Sequence, residues 1–259
     1  MGNFKGTFWS SSLKRNVCIS VIFPDHSNDV DPLFEDDPKV LYLLHGLGGN
    51  EDEWMRFSRI EYYAKKYNFV IIMPAAGRSF YCNTRHGINY FDFAADELPE
   101  ICGKWFSISS KREDTFIAGE SMGGYGALKI GLSRPQRFAG IASLSGVVDY
   151  EAFAKLIRSR AWEDMNPEEL DILHDEETPL MLAEKTAGIS DRPGLIQMCG
   201  TEDFLYADNQ KFRKALDDLG YGHTYREGPG DHEWPYWDKA VQYAFMFFRG
   251  LDPDTAKLY

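Results

Sequence analysis

Short apolar runs alternate with longer stretches of helical periodicity along most of the chain. The runs Val40-Leu41-Tyr42-Leu43-Leu44 and Leu195-Ile196-Gln197-Met198-Cys199 are almost wholly apolar, as expected of strands covered on both faces. Strands are predicted near 3–9, 17–23, 40–45, 68–74, 115–119, 139–145, 195–199 and 222–227. Helices are predicted near 53–67, 93–104, 122–133, 208–219 and 236–249. This order implies an α/β fold with a mostly parallel central sheet of about eight strands and helices on both faces. The first two strands, joined at Ser10-Ser11-Ser12, read as an antiparallel edge hairpin. The charge-rich stretch from Asp25 to Pro38 reads as a surface loop. One segment breaks the rhythm. Residues 147–193 hold no strand-like run, and a small helical insertion is expected there after the sixth strand, placed as a lid; the plainer alternative is an ordinary crossover with one extra helix. The whole chain, 1–259, is expected to be one domain.

The pattern gains chemical meaning at Gly119-Glu120-Ser121-Met122-Gly123. The apolar run Thr115-Phe116-Ile117-Ala118 leads into it, and a helix-compatible stretch from Gly124 to Gly131 follows. Strand, tight turn and helix with serine at the turn make a nucleophile elbow, in which a strained backbone pushes the hydroxyl out of the sheet. Small residues two before and two after the serine let the turn close. The chemistry implied is acyl transfer through a covalent acyl-serine. G-x-S-x-G alone is a weak pattern, since a glycine-rich turn can simply pack a helix on a strand, so its companions decide.

Two companions stand in the required chain order. His45-Gly46-Leu47-Gly48-Gly49-Asn50 follows the third strand and matches the glycine-rich loop that supplies half of an oxyanion hole. The tetrahedral intermediate carries a negative oxygen, and fixed N–H groups stabilise it without reorganising. The N–H groups of Leu47 and Met122 are the candidates. His45 reads as a brace for this loop rather than a base. Further on, Asp203 follows the strand at 195–199, at the end where open α/β sheets gather ligands. His232 lies in the polar loop Gly228-Pro229-Gly230-Asp231-His232-Glu233-Trp234. Ser121, Asp203 and His232 thus form a candidate triad in the order Ser…Asp…His. Glu202 and Asp208 are alternatives for the acid, the first alternating to the other side and the second falling in the next helix. His86 sits in a polar loop, and His26, His174 and His223 have no motif beside them. His45, Tyr81, Trp162 and Trp234 are candidates to contact substrate, because aromatic loop ends near a nucleophile line pockets; burial in the core is the competing reading for each aromatic.

Composition narrows the partners. Hydrophobic residues make up 44% and charged residues 26%, ordinary for a globular protein. A formal net charge of −12 argues against nucleic acid and against anionic membranes. No apolar run approaches the ~20 residues of a membrane span. Cys18, Cys82, Cys102 and Cys199 are irregularly spaced without C-x-x-C, and no apolar segment follows a basic start, so a cytoplasmic location is expected and no metal site is read. Oligomeric state leaves no trace in the sequence.

Three segments together resemble the esterase D superfamily: Leu44 to Trp54, Gly119 to Lys129 and Asp231 to Asp238. Within it the chain is most similar to the tributyrin esterase branch, with its acetyl esterases and feruloyl esterases. The resemblance runs nearly end to end. It implies an α/β-hydrolase fold and cofactor-free hydrolysis of short-chain acyl esters on a small molecule or oligosaccharide, including plant cell-wall carbohydrates. It also implies Ser121, Asp203 and His232 as triad, with Leu47 and Met122 as oxyanion donors. S-formylglutathione hydrolases usually carry His after Ser-Met-Gly-Gly and a Cys-bearing oxyanion loop; here those positions are Tyr125 and Gly48-Gly49-Asn50. The alternatives are a feruloyl esterase, an S-formylglutathione hydrolase and, in another class, a non-catalytic hydrolase-fold binding protein.

Overall fold

The computed structural model describes residues 2–25, 30–149, 151, 153, 155 and 177–259. Eight strands form one sheet: β1 (Gly2–Ser10), β2 (Arg15–Phe23), β3 (Lys39–Leu44), β4 (Phe69–Pro74), β5 (Thr115–Glu120), β6 (Gly140–Leu144), β7 (Gly194–Gly200) and β8 (Thr224–Gly228). Their order is β1-β2-β4-β3-β5-β6-β7-β8. The sheet is mostly parallel with an antiparallel β1·β2 hairpin at its edge, as the patterning predicts; the pairing of β2 with β4 is antiparallel as well.

Alternation within the central strands divides the core. Val40, Tyr42 and Leu44 of β3 join one buried cluster, while Leu41 and Leu43 join the other. Val70 and Ile72 of β4 likewise oppose Phe69, Ile71 and Met73. The period of two in side-chain direction is what lets an all-apolar strand serve both faces. On the first face lie α3 (Tyr90–Asp92), a π-helical turn (Phe93–Glu97), α4 (Leu98–Phe106), α5 (Met122–Ser133), α6 (Pro179–Thr186) and α7 (Tyr206–Asp218). The second carries α1 (Glu53–Phe57), α2 (Ile60–Tyr67) and α8 (Trp234–Phe248). There Phe116 and Phe248 have ring centroids 4.7 Å apart, and Phe69 lies 5.1 Å from Phe245. Each fully buried side chain of this size contributes roughly 1.5–3 kcal/mol over exposure.

Three expectations are refined. The helix expected over 53–67 is two helices, because Ser58 is extended and the Arg59 N–H donates to Asp238 Oδ1 at 2.9 Å instead of continuing the helix. The helix expected at 93–104 starts earlier, at Tyr90, and passes through the π-helical turn. Of the lid expected at 147–193, residues 150, 152, 154 and 156–176 lie outside the described residues, and Trp162 with them. The described remainder includes α6, capped by Thr178, whose Oγ1 accepts the Met181 N–H at 3.2 Å. Among the described residues no helix is long and apolar enough to cross a membrane.

Candidate active site

Four loops at the C-terminal ends of parallel strands meet over the middle of the sheet: those after β3, β5, β7 and β8. Ser121 directly follows β5 and is the N-cap residue of α5. Its φ is 53° and its ψ −115°, a region L-residues rarely occupy. The sharp turn is held by its neighbours: the Ser121 N–H donates to Leu144 O at 2.9 Å, and the Val147 and Tyr125 N–H groups donate to Ser121 O. A Cβ on Gly119 would strike the Gly123 backbone, and one on Gly123 would strike the end of β3 at Leu44. The two glycines of the motif are therefore spaces through which strand, turn and helix touch.

Asp203 lies three residues beyond β7, with its side chain fully buried. Its Oδ1 accepts the Leu205 N–H at 2.8 Å. His232 Nδ1 lies 2.9 Å from Asp203 Oδ2 and 3.1 Å from Oδ1, and Nε2 lies 2.9 Å from Ser121 Oγ. A carboxylate only accepts, so Nδ1 carries the proton and Nε2 is left to accept from the serine hydroxyl. Phe204 and Trp237 pack on the imidazole with centroids at 4.5 and 4.9 Å, limiting its rotation. Glu202 is turned away from it. Its Oε2 accepts the Gly230 N–H at 2.5 Å and ties down the loop that presents His232. Asp208 is in α7, paired with Lys211 at 2.8 Å.

The Met122 N–H opens α5, where a helix has no internal acceptor to offer. Among the described residues no backbone carbonyl accepts from it or from the Leu47 N–H. Leu47, Ser121 and His232 line one cavity of about 550 Å³. Trp234 lines it too, stacked on the half-exposed Phe57 at 5.3 Å.

His45 and Tyr81 do not reach this cavity, contrary to the expectation that they contact substrate. His45 is 1% exposed and lies beneath the loop. Its Nε2 accepts the Ala76 N–H at 2.9 Å, so its proton is on Nδ1, which donates to Gly46 O at 2.7 Å. Burial pushes its pKa down and keeps it neutral. Tyr81, also buried, donates its hydroxyl to His45 O at 3.0 Å. Both brace the loop from below.

The sequence reading missed two carboxyls in the same cavity, Glu53 and Glu120. Burial drives the Glu120 carboxyl well above the usual carboxylate range, and the charge of Glu53 adds to this. Burial also raises Glu53, to about 6, against the pull of Arg56. The available signal was positional: Glu120 ends a buried strand directly before the serine.

The family model described as "Putative esterase" matches residues 10–248. An acetyl esterase from Caldicellulosiruptor saccharolyticus is 32% identical over 257 residues, covering 92% of this chain and 94% of its own. The fluorophosphonate-binding serine hydrolase FphF of Staphylococcus aureus has a TM-score of 0.84 at 33% identity, over 95% of this chain and 98% of its own. The S-formylglutathione hydrolase FrmB of the same organism gives 0.82 at 32% identity, with the same coverage.

Proposed function

Because the chain belongs to this esterase family, within the esterase D-type superfamily of α/β-hydrolases, and is a carboxylic ester hydrolase, we propose that it cleaves short-chain acyl esters, acetyl esters above all, through an acyl-enzyme on Ser121. The observation that carries the reading is the unbroken hydrogen-bond chain from Ser121 Oγ through His232 to Asp203 at the wall of a cavity.

In the first step Ser121 Oγ attacks the acyl carbon while His232 Nε2 takes the hydroxyl proton. Asp203 holds the imidazole tautomer and stabilises the imidazolium. The N–H groups of Leu47 and Met122 receive the developing oxyanion. His232 then protonates the leaving alcohol. Water, activated by the same imidazole, repeats the sequence and releases the acid.

The short acyl preference is supported by the acetyl esterase relative and by the cavity wall. The partly exposed Glu53 stands beside its apolar residues, and a long alkyl chain laid against it would desolvate a carboxyl group without pairing it. The Phe57–Trp234 stack, with Glu53 and Glu233 nearby, suits an alcohol that presents both a flat apolar face and hydroxyls, as a sugar does. A second reading, S-formylglutathione hydrolysis, draws on FrmB, which is as similar in sequence as the acetyl esterase. Both use the same machinery.

A comparison of p-nitrophenyl acetate, butyrate and octanoate with methyl ferulate and S-formylglutathione separates these readings. The expected order of kcat/KM is acetate first, with octanoate at least about tenfold lower, a step within reach of methylene-by-methylene discrimination. A preference for octanoate, ferulate or S-formylglutathione over the acetate would reject the acetyl reading while leaving the triad standing.

A further inference from the structure

Besides His45 and Tyr81, two carboxyl side chains shape the loop after β3. The Glu120 carboxyl packs against Gly46 and occupies the space a Gly46 Cβ would need. At Gly49 it is the Glu53 carboxyl that fills the Cβ position, while the Gly49 N–H donates to Gly46 O at 3.2 Å. The His45-Gly46-Leu47-Gly48-Gly49 loop is therefore wrapped around a pair of carboxyl groups. Glu120 is 2% exposed, and it is joined directly to Ser121. Glycine has wide backbone freedom, so the direction of the next N–H, that of Leu47, depends on what holds Gly46: His45 Nδ1 donates to its carbonyl at 2.7 Å, and the Glu120 carboxyl packs on its other side.

We propose that Glu120, opposed by Glu53, is a positioning residue for the reaction: its carboxyl fixes the Gly46 peptide and so aims the Leu47 N–H at the oxyanion above Ser121. This rests on the acyl-enzyme reading above. The carboxyl works in its neutral form. Neutral, it packs against Gly46 without placing a negative charge beside the forming oxyanion, where like charge would oppose catalysis. The surroundings favour that form. Glu53 and Arg56 face the pair from α1, the neutral His45 and the hydroxyl of Tyr81 lie on its inner side, and His232 and Glu233 face it across the cavity. Glu53 ionises first, near pH 6, and its charge then delays the ionisation of Glu120. As pH rises further Glu120 loses its proton, and turnover falls.

The test is a pH series of kcat and KM for p-nitrophenyl acetate with wild type, Glu120→Ala, Glu120→Gln and Glu53→Gln, beside Ser121→Ala. Glu120→Ala is expected to lower kcat about 10²-fold, the scale of a lost oxyanion donor, with KM within threefold. Glu120→Gln, which keeps the shape and cannot ionise, should recover most of that loss and abolish the alkaline fall. Glu53→Gln removes the like charge, so the alkaline fall should begin at lower pH. If Glu120→Ala does not fold, the two glutamine variants decide. An alkaline limb that neither of them moves overturns the proposal, as does Glu120→Ala turning over like wild type. Wild-type turnover that survives Ser121→Ala overturns the parent reading, and this proposal with it.

Discussion

Replacing Ser121 by alanine is expected to lower kcat for p-nitrophenyl acetate by at least about 10⁴-fold. In the proposed mechanism, deleting the Oγ removes the atom that forms the acyl bond and leaves His232 Nε2 with no hydroxyl to activate at 2.9 Å. What survives is the background supplied by the oxyanion donors and by binding alone. Stability should move by no more than about 1 kcal/mol. Both residues carry a Cβ, so the strain of φ 53° is common to both, and the backbone bonds that hold the elbow are untouched. A melting curve beside the rate assay checks both halves. A variant that melts with wild type yet keeps more than about a hundredth of its activity would mean that another nucleophile does the chemistry.

Asp203→Asn is expected to lose about 10³- to 10⁴-fold in kcat with its fold intact. The substitution keeps shape and volume, and the amide oxygen can still accept the Leu205 N–H. The failure is one of proton placement. An amide can donate to His232 Nδ1, which puts the ring proton on Nε2, where it faces Ser121 Oγ and cannot accept. The stabilising charge for the imidazolium is lost as well. Because the Asp203 side chain is fully buried, water cannot substitute for it. Circular dichroism should overlay with wild type while kcat collapses. Turnover within tenfold of wild type would assign the acid role elsewhere, and the two alternatives weighed for it are otherwise engaged: Glu202 holds Gly230 and Asp208 pairs with Lys211.

The elements that could be read in advance were those with local causes. The apolar runs of β3 and β5, the edge hairpin of β1 and β2, and the strand–turn–helix around Ser121 follow from nearby side chains. The break between α1 and α2 was hidden because its cause is far away in sequence: Asp238, on α8, takes the Arg59 N–H. His45 and Tyr81 illustrate the same limit. Each sits in a motif that borders the site, yet loop closure turns both side chains inward, to the Ala76 N–H and to the His45 carbonyl. Glu120 is the reverse case. A carboxyl at the end of an apolar strand reads as solvated until the fold shows Gly46 and Glu53 around it. Trp162 and most of the segment expected to form a lid lie outside the described residues.

The central claim is a covalent acyl intermediate on one serine. The most direct measurement mixes the wild-type protein with p-nitrophenyl acetate, quenches with acid during the first turnover, and maps the modified peptide by mass spectrometry. The account predicts a burst of about one nitrophenolate per chain and one acetyl group, located at Ser121. Steady turnover with the acetyl group on a different residue would contradict it.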